Sequence, residues 1–382
     1  MTPTLQLTDT QRAFAEAIRE FAKRECGTRE QRDHFTGRGS EAHSSELFAK
    51  VADLGWAGLT VPTEYGGAGG SMVDMCVLME EAMRGLLPIN GMATTLVVAG
   101  PYERFGSEAQ KREILGGIVG GNVEAISMSE PEAGSDVGNI SCRATRDGDG
   151  WVVNGQKTWC SNAHIAAHIL LIARTGTGQD KHDGLTMFNV PAGIPGLEVR
   201  RIDTLGGREV NDVYFTDCRL PANAVVGELD RAWPQLMAGL NVERLILAAV
   251  LLGLAQRAID DLLSYVKQRR QFGQPIGTFQ VLRHRIADLV TEVECARLLT
   301  YHVAQRVDAD PDHLLPRDAS MAKLKATEVA KSAALEGLQM MGGYGYAKEY
   351  DMEYLVRTTL AGTIYGGSSE IQRDIIGKTL GL

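Results

Sequence analysis

The hydrophobic pattern of this chain changes period twice, and that constrains its fold more than any single motif. Over residues 1–122 the pattern is helical: Phe14, Ile18 and Phe21 share one face, and Thr8 with Gln11 has the spacing of a capping box. Pro62 to Gly70 interrupts it, being too rich in glycine for a helix. From 123 to 225 short β segments take over: Trp151 to Val153, His168 to Ala173, Leu185 to Val190 and Asp212 to Phe215. Asp147-Gly148-Asp149-Gly150 supplies a hairpin turn between two of them. From 226 to 382 helical runs return and lengthen, over Pro234 to Arg269, Thr278 to Val307 and Arg317 to Met341. The reading is an α+β chain of three domains, helical over 1–122, β over 123–225 and helical again over 226–382, without internal repeats.

Composition narrows the function classes. A chain of 382 residues is long enough for a substantial core. Lys and Arg number 39 against 48 Asp and Glu, a net charge of −9 with no basic run, which argues against a nucleic-acid partner. The longest apolar run, Leu245 to Leu254, covers about half of the roughly 20 residues a bilayer span needs, so a buried helix and no membrane segment are expected. The first ten residues lack a basic stretch followed by an apolar one, so no signal peptide is expected. Cys26, Cys76, Cys142, Cys160, Cys218 and Cys295 show no CxxC spacing and read as reduced thiols of a cytoplasmic protein. His164 and His168 stand four apart but precede a strand and have no third ligand, so no metal site is expected. No GxGxxG opens a strand–helix unit, and Gly377-Lys378-Thr379 fails as a P-loop because Gln372 stands upstream.

One acidic residue stands out by position. Leu236, Leu240, Glu243, Leu247, Val250 and Leu254 share one helix face, and Glu243 is its only charge. A carboxylate in an apolar stripe is desolvated, which moves its pKa toward the range useful to a general base. The residues alone leave a structural ion pair open as well, with Arg244 or with another helix. Further on, Gly366-Gly367-Ser368-Ser369 precedes a helix, and Ser369 with Gln372 has capping-box spacing. The free N–H groups of such a helix start suit an anion or a carbonyl.

Several segments together resemble those of the acyl-CoA dehydrogenases, flavoenzymes that oxidise acyl-CoA thioesters. They are Ser129-Glu130-Pro131-Glu132-Ala133-Gly134-Ser135-Asp136; Asn154-Gly155-Gln156-Lys157-Thr158-Trp159-Cys160-Ser161-Asn162; Arg269 to Ile276 with Gln280; Gln339 to Tyr346; and Ile364 to Arg373. The resemblance covers nearly the whole chain. It implies an N-terminal helical domain, a middle β domain and a C-terminal four-helix bundle. It also implies FAD, with Met128, Ser129, Ser135, Trp159 and Ser161 at the isoalloxazine ring. Arg269, Phe272, Gln280, Gln339 and Gly343 would reach the FAD of a neighbouring subunit, and Ser368 and Glu370 are cofactor-binding positions as well. Ser135, Arg244 and Tyr365 are the implied substrate contacts.

The departures from the family pattern are as informative. Most members carry a glutamate at the position of Gly366, where it removes the substrate α-proton. A minority, including the isovaleryl-CoA and long-chain types, carry the base on the long helix in a motif similar to Asn241-Val242-Glu243-Arg244-Leu245. The resemblance therefore implies Glu243 as base, with the Gly366 N–H kept as donor to the thioester carbonyl. It further implies a trans-2-enoyl-CoA product, an electron-transferring flavoprotein as acceptor, a homotetramer built as a dimer of dimers, and a place in fatty-acid β-oxidation. Thr204 to Asn211 and Val356 to Gly362 depart from the family's usual strings. A flavin-dependent oxidase or monooxygenase on the same fold is the alternative enzyme. A non-catalytic flavin-binding subunit of a heteromeric complex is the alternative outside enzymes.

Overall fold

The computed structural model describes residues 7–382, apart from the side chains of Ala238, Leu240 and Asn241. Most of the chain start read above for a leader, and the Leu240 side chain of the Glu243 stripe, lie outside the described residues. The helices in chain order are α1 (Asp9–Cys26), α2 (Arg29–Thr36), α3 (Ser45–Asp53), α4 (Met72–Arg84), α5 (Gly91–Phe105) and α6 (Glu108–Val119), then α7 (Ala232–Gln268), α8 (Gln280–Ala309), α9 (Pro316–Met341), α10 (Gly343–Tyr346), α11 (Met352–Gly362) and α12 (Ser369–Thr379). The strands are β1 (Glu124–Ser127), β2 (Arg143–Asp147), β3 (Gly150–Ser161), β4 (His168–Arg174), β5 (Leu185–Pro191), β6 (Leu197–Arg201), β7 (Val210–Leu220) and β8 (Val225–Val226). A small hairpin follows, β9 (Arg270–Gln271) with β10 (Gln274–Pro275). The chain is thus α+β, and the long apolar run sits inside one uninterrupted helix of 37 residues.

Contacts group the chain into two compact units. One comprises 33–70 and 88–240, the other the segment up to 32 with 71–87 and 241–382. In the first, the strand order is β6-β7-β3-β2-β4-β5-β8, with β1 parallel to β4. The turn between β2 and β3 is the expected one: Asp147 pairs with Gly150, and Gly148 takes a φ of 58° that glycine adopts freely. The apolar run of β4 divides between two cores. Ile169, Leu171 and Ala173 join one, with Trp151 and Phe188, while Leu170 and Ile172 join the other, with Tyr102, Ile114 and Ile118 of α5 and α6. A strand covered on both faces needs apolar residues at every position, which explains a continuous run where alternation marks a half-exposed strand.

In the second unit α9 packs against α8, α10, α11 and α12. Its buried side carries Ala319, Ala322, Ala326, Ala330, Ala333 and Ala334, small side chains that let neighbouring helices approach closely. Asp351, just ahead of α11, accepts from Arg32 at 2.5 Å and from Arg257 at 2.7 Å. The Thr8–Gln11 capping box forms in full. The one expected at Ser369 does not. Ser368 caps α12 through Ile371 N at 3.4 Å, because Ser369 N turns back onto Thr363 O and Ser369 is already helical. Gln372 reaches back to the carbonyls of Gly366 and Gly367 instead. Among the described residues no helix is long and apolar enough to cross a membrane.

Candidate active site

The β-containing unit holds Met128, Ser129, Ser135, Trp159 and Ser161. An irregularity in the β3–β7 pairing between Lys157 and Cys160 re-aims the residues around it. Lys157 and Thr158 are both buried, whereas Trp159, at a φ of 58°, is 59% exposed. An aromatic residue in the left-handed region with its indole outside is a backbone outlier of the kind that clusters at functional sites. Lys157 Nζ, fully buried, donates at 2.8 Å to Met128 O and at 2.8 Å to a Glu130 carboxylate oxygen. The other Glu130 oxygen accepts from Ser141 N and Oγ, and Cys142 N completes the set. Burial alone would raise the Glu130 carboxyl, but the Lys157 ammonium and these donors hold it below the ordinary carboxylate range. Thr158 N fixes Ser129 O at 2.9 Å. The loop 128–130 is therefore gripped by its carbonyls, and the Ser129 and Ser135 hydroxyls make no hydrogen bond among the described residues.

The helical unit holds the rest. Arg269, Phe272 and Gly343 line a cavity of about 920 Å³ with Tyr265, Ile276 and Tyr344. The Arg269 guanidinium lies 5.2 Å from the Tyr344 ring centre. Phe272 sits at the tip of the β9–β10 hairpin, 92% exposed and at a φ of 51°. Gln280 and Gln339 are exposed beside lining residues without lining the cavity themselves.

Glu243 lies on α7 facing the turn before α12. An ideal Cβ on Gly366 would stand 3.6 Å from Glu243 Oε1 and only 2.2 Å from Leu247 Cδ1. Gly366 and Gly367 take φ values of 60° and 79°, where glycine is favoured. Burial raises the Glu243 pKa above the usual carboxylate range, opposed by the charges of Arg244 and Lys323. Glu243 makes no hydrogen bond or ion pair among the described residues, so the structural ion pair left open above finds no partner there. Arg244 is buried and likewise makes no hydrogen bond among them. Tyr365 and Glu370 are exposed on the same turn, and Ser368 is half-buried as the cap.

Sequence reasoning missed Lys323. This fully buried lysine of α9 donates to Gly362 O at 2.9 Å and to Tyr365 O and Gly367 O at 2.8 Å each. Burial lowers its pKa to about 8, against the pull of Glu243. Its partners lie 39 to 44 residues away, so no local spacing could have marked it.

The sheet-bearing unit thus offers gripped backbone, free hydroxyls and an exposed indole, and the helical unit a desolvated carboxylate over a glycine turn, features that suit a flavin-dependent oxidoreductase. The chain belongs to the acyl-CoA dehydrogenase family. Its N-terminal domain model matches residues 8–122, its middle domain model 125–218 and its C-terminal domain model 230–381. The chain is 35% identical over 383 residues to the mitochondrial 2-methylacyl-CoA dehydrogenase of Solanum tuberosum, covering 99% of this chain and 92% of that one. The acyl-CoA dehydrogenase of Geobacillus kaustophilus superposes with a TM-score of 0.93 at 30% identity, over 100% of both chains. The FAD complex of PigA does so with a TM-score of 0.92 at 27% identity, again over 100% of both. The protein is an oxidoreductase of this family, and its cofactor is FAD. The exposed Trp159 face and the free Ser129 and Ser135 hydroxyls of the same unit would suit a planar ring with a polar edge. Arg269 and Phe272 suit a pyrophosphate and an adenine.

Proposed function

We propose that this enzyme converts an acyl-CoA thioester to its trans-2-enoyl-CoA, with Glu243 as the base. The observation that carries this is the unpaired, desolvated Glu243 carboxylate, 3.6 Å from where a side chain on Gly366 would begin. Glu243 Oε1 takes the α-proton. The Gly366 N–H donates to the thioester oxygen and stabilises the enolate-like charge as it develops. Arg244, buried and without a hydrogen bond among the described residues, contacts the substrate beside Glu243, as does Tyr365; Ser135 is a substrate contact by the family resemblance. When bound, FAD supplies the two-electron acceptor for the β-hydrogen, which side chains cannot. Met128, Ser129, Ser135, Trp159 and Ser161 would hold its ring system, with Ser368 and Glu370 as further cofactor positions; Arg269, Phe272, Gln280, Gln339 and Gly343 would reach the FAD of a neighbouring subunit.

The same reading assigns a branched acyl group, as the name of the potato relative suggests, and an electron-transferring flavoprotein as acceptor. It also assigns a homotetramer, a cytoplasmic location and a role in fatty-acid β-oxidation. Beside Gly366, Leu247 occupies part of the volume that a side chain at that position would take.

Glu243→Gln tests the assignment. The variant is expected to keep its FAD while anaerobic bleaching of the flavin by an acyl-CoA slows by about 10²- to 10⁴-fold, the usual contribution of a general base. Bleaching at the wild-type rate would remove Glu243 from the mechanism. A panel of straight and branched acyl-CoAs in the same assay reads the substrate class.

A further inference from the structure

We propose that Lys323 is a positioning residue for the substrate carbonyl, acting through the peptide that joins Tyr365 to Gly366. The inference rests on the reading of the Gly366 N–H as donor to the thioester oxygen.

In a planar trans peptide the carbonyl and the N–H of the same unit point in opposite directions. Tyr365 O and Gly366 N–H belong to one such unit. Lys323 Nζ holds Tyr365 O at 2.8 Å, so the Gly366 N–H is turned away from α9. Helix-type bonding ends at Tyr365 N, which donates to Ala361 O at 3.1 Å, and among the described residues no backbone bond holds Gly366 or Gly367, so their orientation depends on this grip. Gly366 and Gly367 lie in left-handed backbone between the end of α11 and the start of α12. Glycines there are free to rotate unless their carbonyls are tied down.

They are tied down completely. The ammonium has three protons, and three carbonyls receive them: Gly362, Tyr365 and Gly367. Gln372 Nε2 takes Gly366 O at 2.9 Å and shares Gly367 O at 3.0 Å. Every carbonyl from 365 to 367 thus has a buried donor, and the donor at 365 is charged. A charge-assisted bond to the carbonyl polarises its amide, which makes the N–H at the other end a stronger donor. Burying an ammonium costs several kcal/mol, and a methionine of similar length would fill the same space. Capping the end of α11 alone does not call for a charge, since waters and Ser or Thr side chains do that at other helix ends. The charge answers the chemistry instead: it lies behind the amide that faces the developing negative oxygen.

The test uses the FAD-loaded enzyme with a bound enoyl-CoA carrying carbon-13 at its thioester carbonyl. Infrared or Raman difference spectra read how strongly that carbonyl is polarised. Wild type is expected to lower the carbonyl frequency relative to solution. Lys323→Met and Lys323→Gln, each checked for full FAD content, are expected to lose much of that lowering. Their rate of flavin reduction should fall about 10- to 100-fold, with a smaller change in acyl-CoA affinity. If wild type itself shows no lowering, the Gly366 donor reading fails, and this inference with it. If wild type shows it and both variants keep it, the donor reading stands and the role of Lys323 is overturned. Collapse of both variants without FAD would make Lys323 a residue of the fold alone and would equally overturn the proposal.

Discussion

Glu243 Oε1 stands 3.6 Å from the point where a Cβ on Gly366 would lie. Side chains grown from α7 and from the turn before α12 therefore enter one volume, and on the proposed function a carboxylate from either would face the same substrate carbon. What separates the two routes is Leu247, whose Cδ1 would lie 2.2 Å from that Cβ.

Moving the carboxylate between the two positions should accordingly need a third change. Glu243→Ala with Gly366→Glu is expected to stay about 100-fold or more below wild type in anaerobic flavin reduction, because Leu247 blocks the new side chain. Left-handed backbone at 366 adds about 1–2 kcal/mol of strain for a residue with a Cβ. Adding Leu247→Ala should recover about tenfold. A double variant as active as wild type would show that Leu247 does not gate this volume.

The raised pKa of Glu243 sets the direction of two pH effects. As a base it must be ionised, so flavin reduction should rise with pH through an inflection above the ordinary carboxylate range, and Glu243→Gln should lose that inflection. Between the ordinary carboxylate pKa and the raised one the folded protein binds more protons than the unfolded chain, so this group makes stability fall as pH rises. Glu243→Gln should therefore unfold at higher denaturant than wild type above that window. Equal midpoints in denaturant titrations across the window would contradict the desolvation argument.

The Glu130–Lys157 pair joins stability to cofactor binding. Both side chains are buried, and Lys157 also holds Met128 O. Lys157→Met leaves the Glu130 carboxylate buried without its cation and is expected to cost about 3–5 kcal/mol in denaturant unfolding. FAD should also dissociate more readily on dilution, since the loop 128–130 loses a tether. Unchanged FAD retention in a destabilised variant would confine the pair to a structural role.

Phe272 should show stability and binding moving in opposite directions. Its φ of 51° strains a non-glycine residue, and its ring is 92% exposed within the chain. Phe272→Gly is expected to leave folding unchanged or favour it by about 1 kcal/mol. FAD retention should fall, because the ring lines the cavity with Arg269. Full retention, measured by flavin absorbance after gel filtration, would argue that the ring does not touch cofactor.

Much of this was legible in the sequence because local burial leaves a period. Helix, strand and helix followed from spacing, as did the length of α7 and the Gly148 turn. Placing Glu243 as the lone charge of an apolar stripe needed only the helical repeat. The cap of α12 shifted by one residue because a contact from Ser369 N to Thr363 O, outside any repeat, decided where the helix begins.

What only the tertiary structure decided lies between segments far apart in the chain. Lys323 gathers carbonyls 39 to 44 residues downstream, and Lys157 meets Glu130 across 27 residues. The pairing irregularity that turns Trp159 outward while Lys157 turns inward depends on β7, not on the local sequence. Glu243 by itself was a carboxylate on a helix. Leu247 over Gly366, and the absence of an ion-pair partner among the described residues, made it a candidate base. A sequence records which side of its own element a residue faces. Which atoms it then meets depends on how distant elements pack.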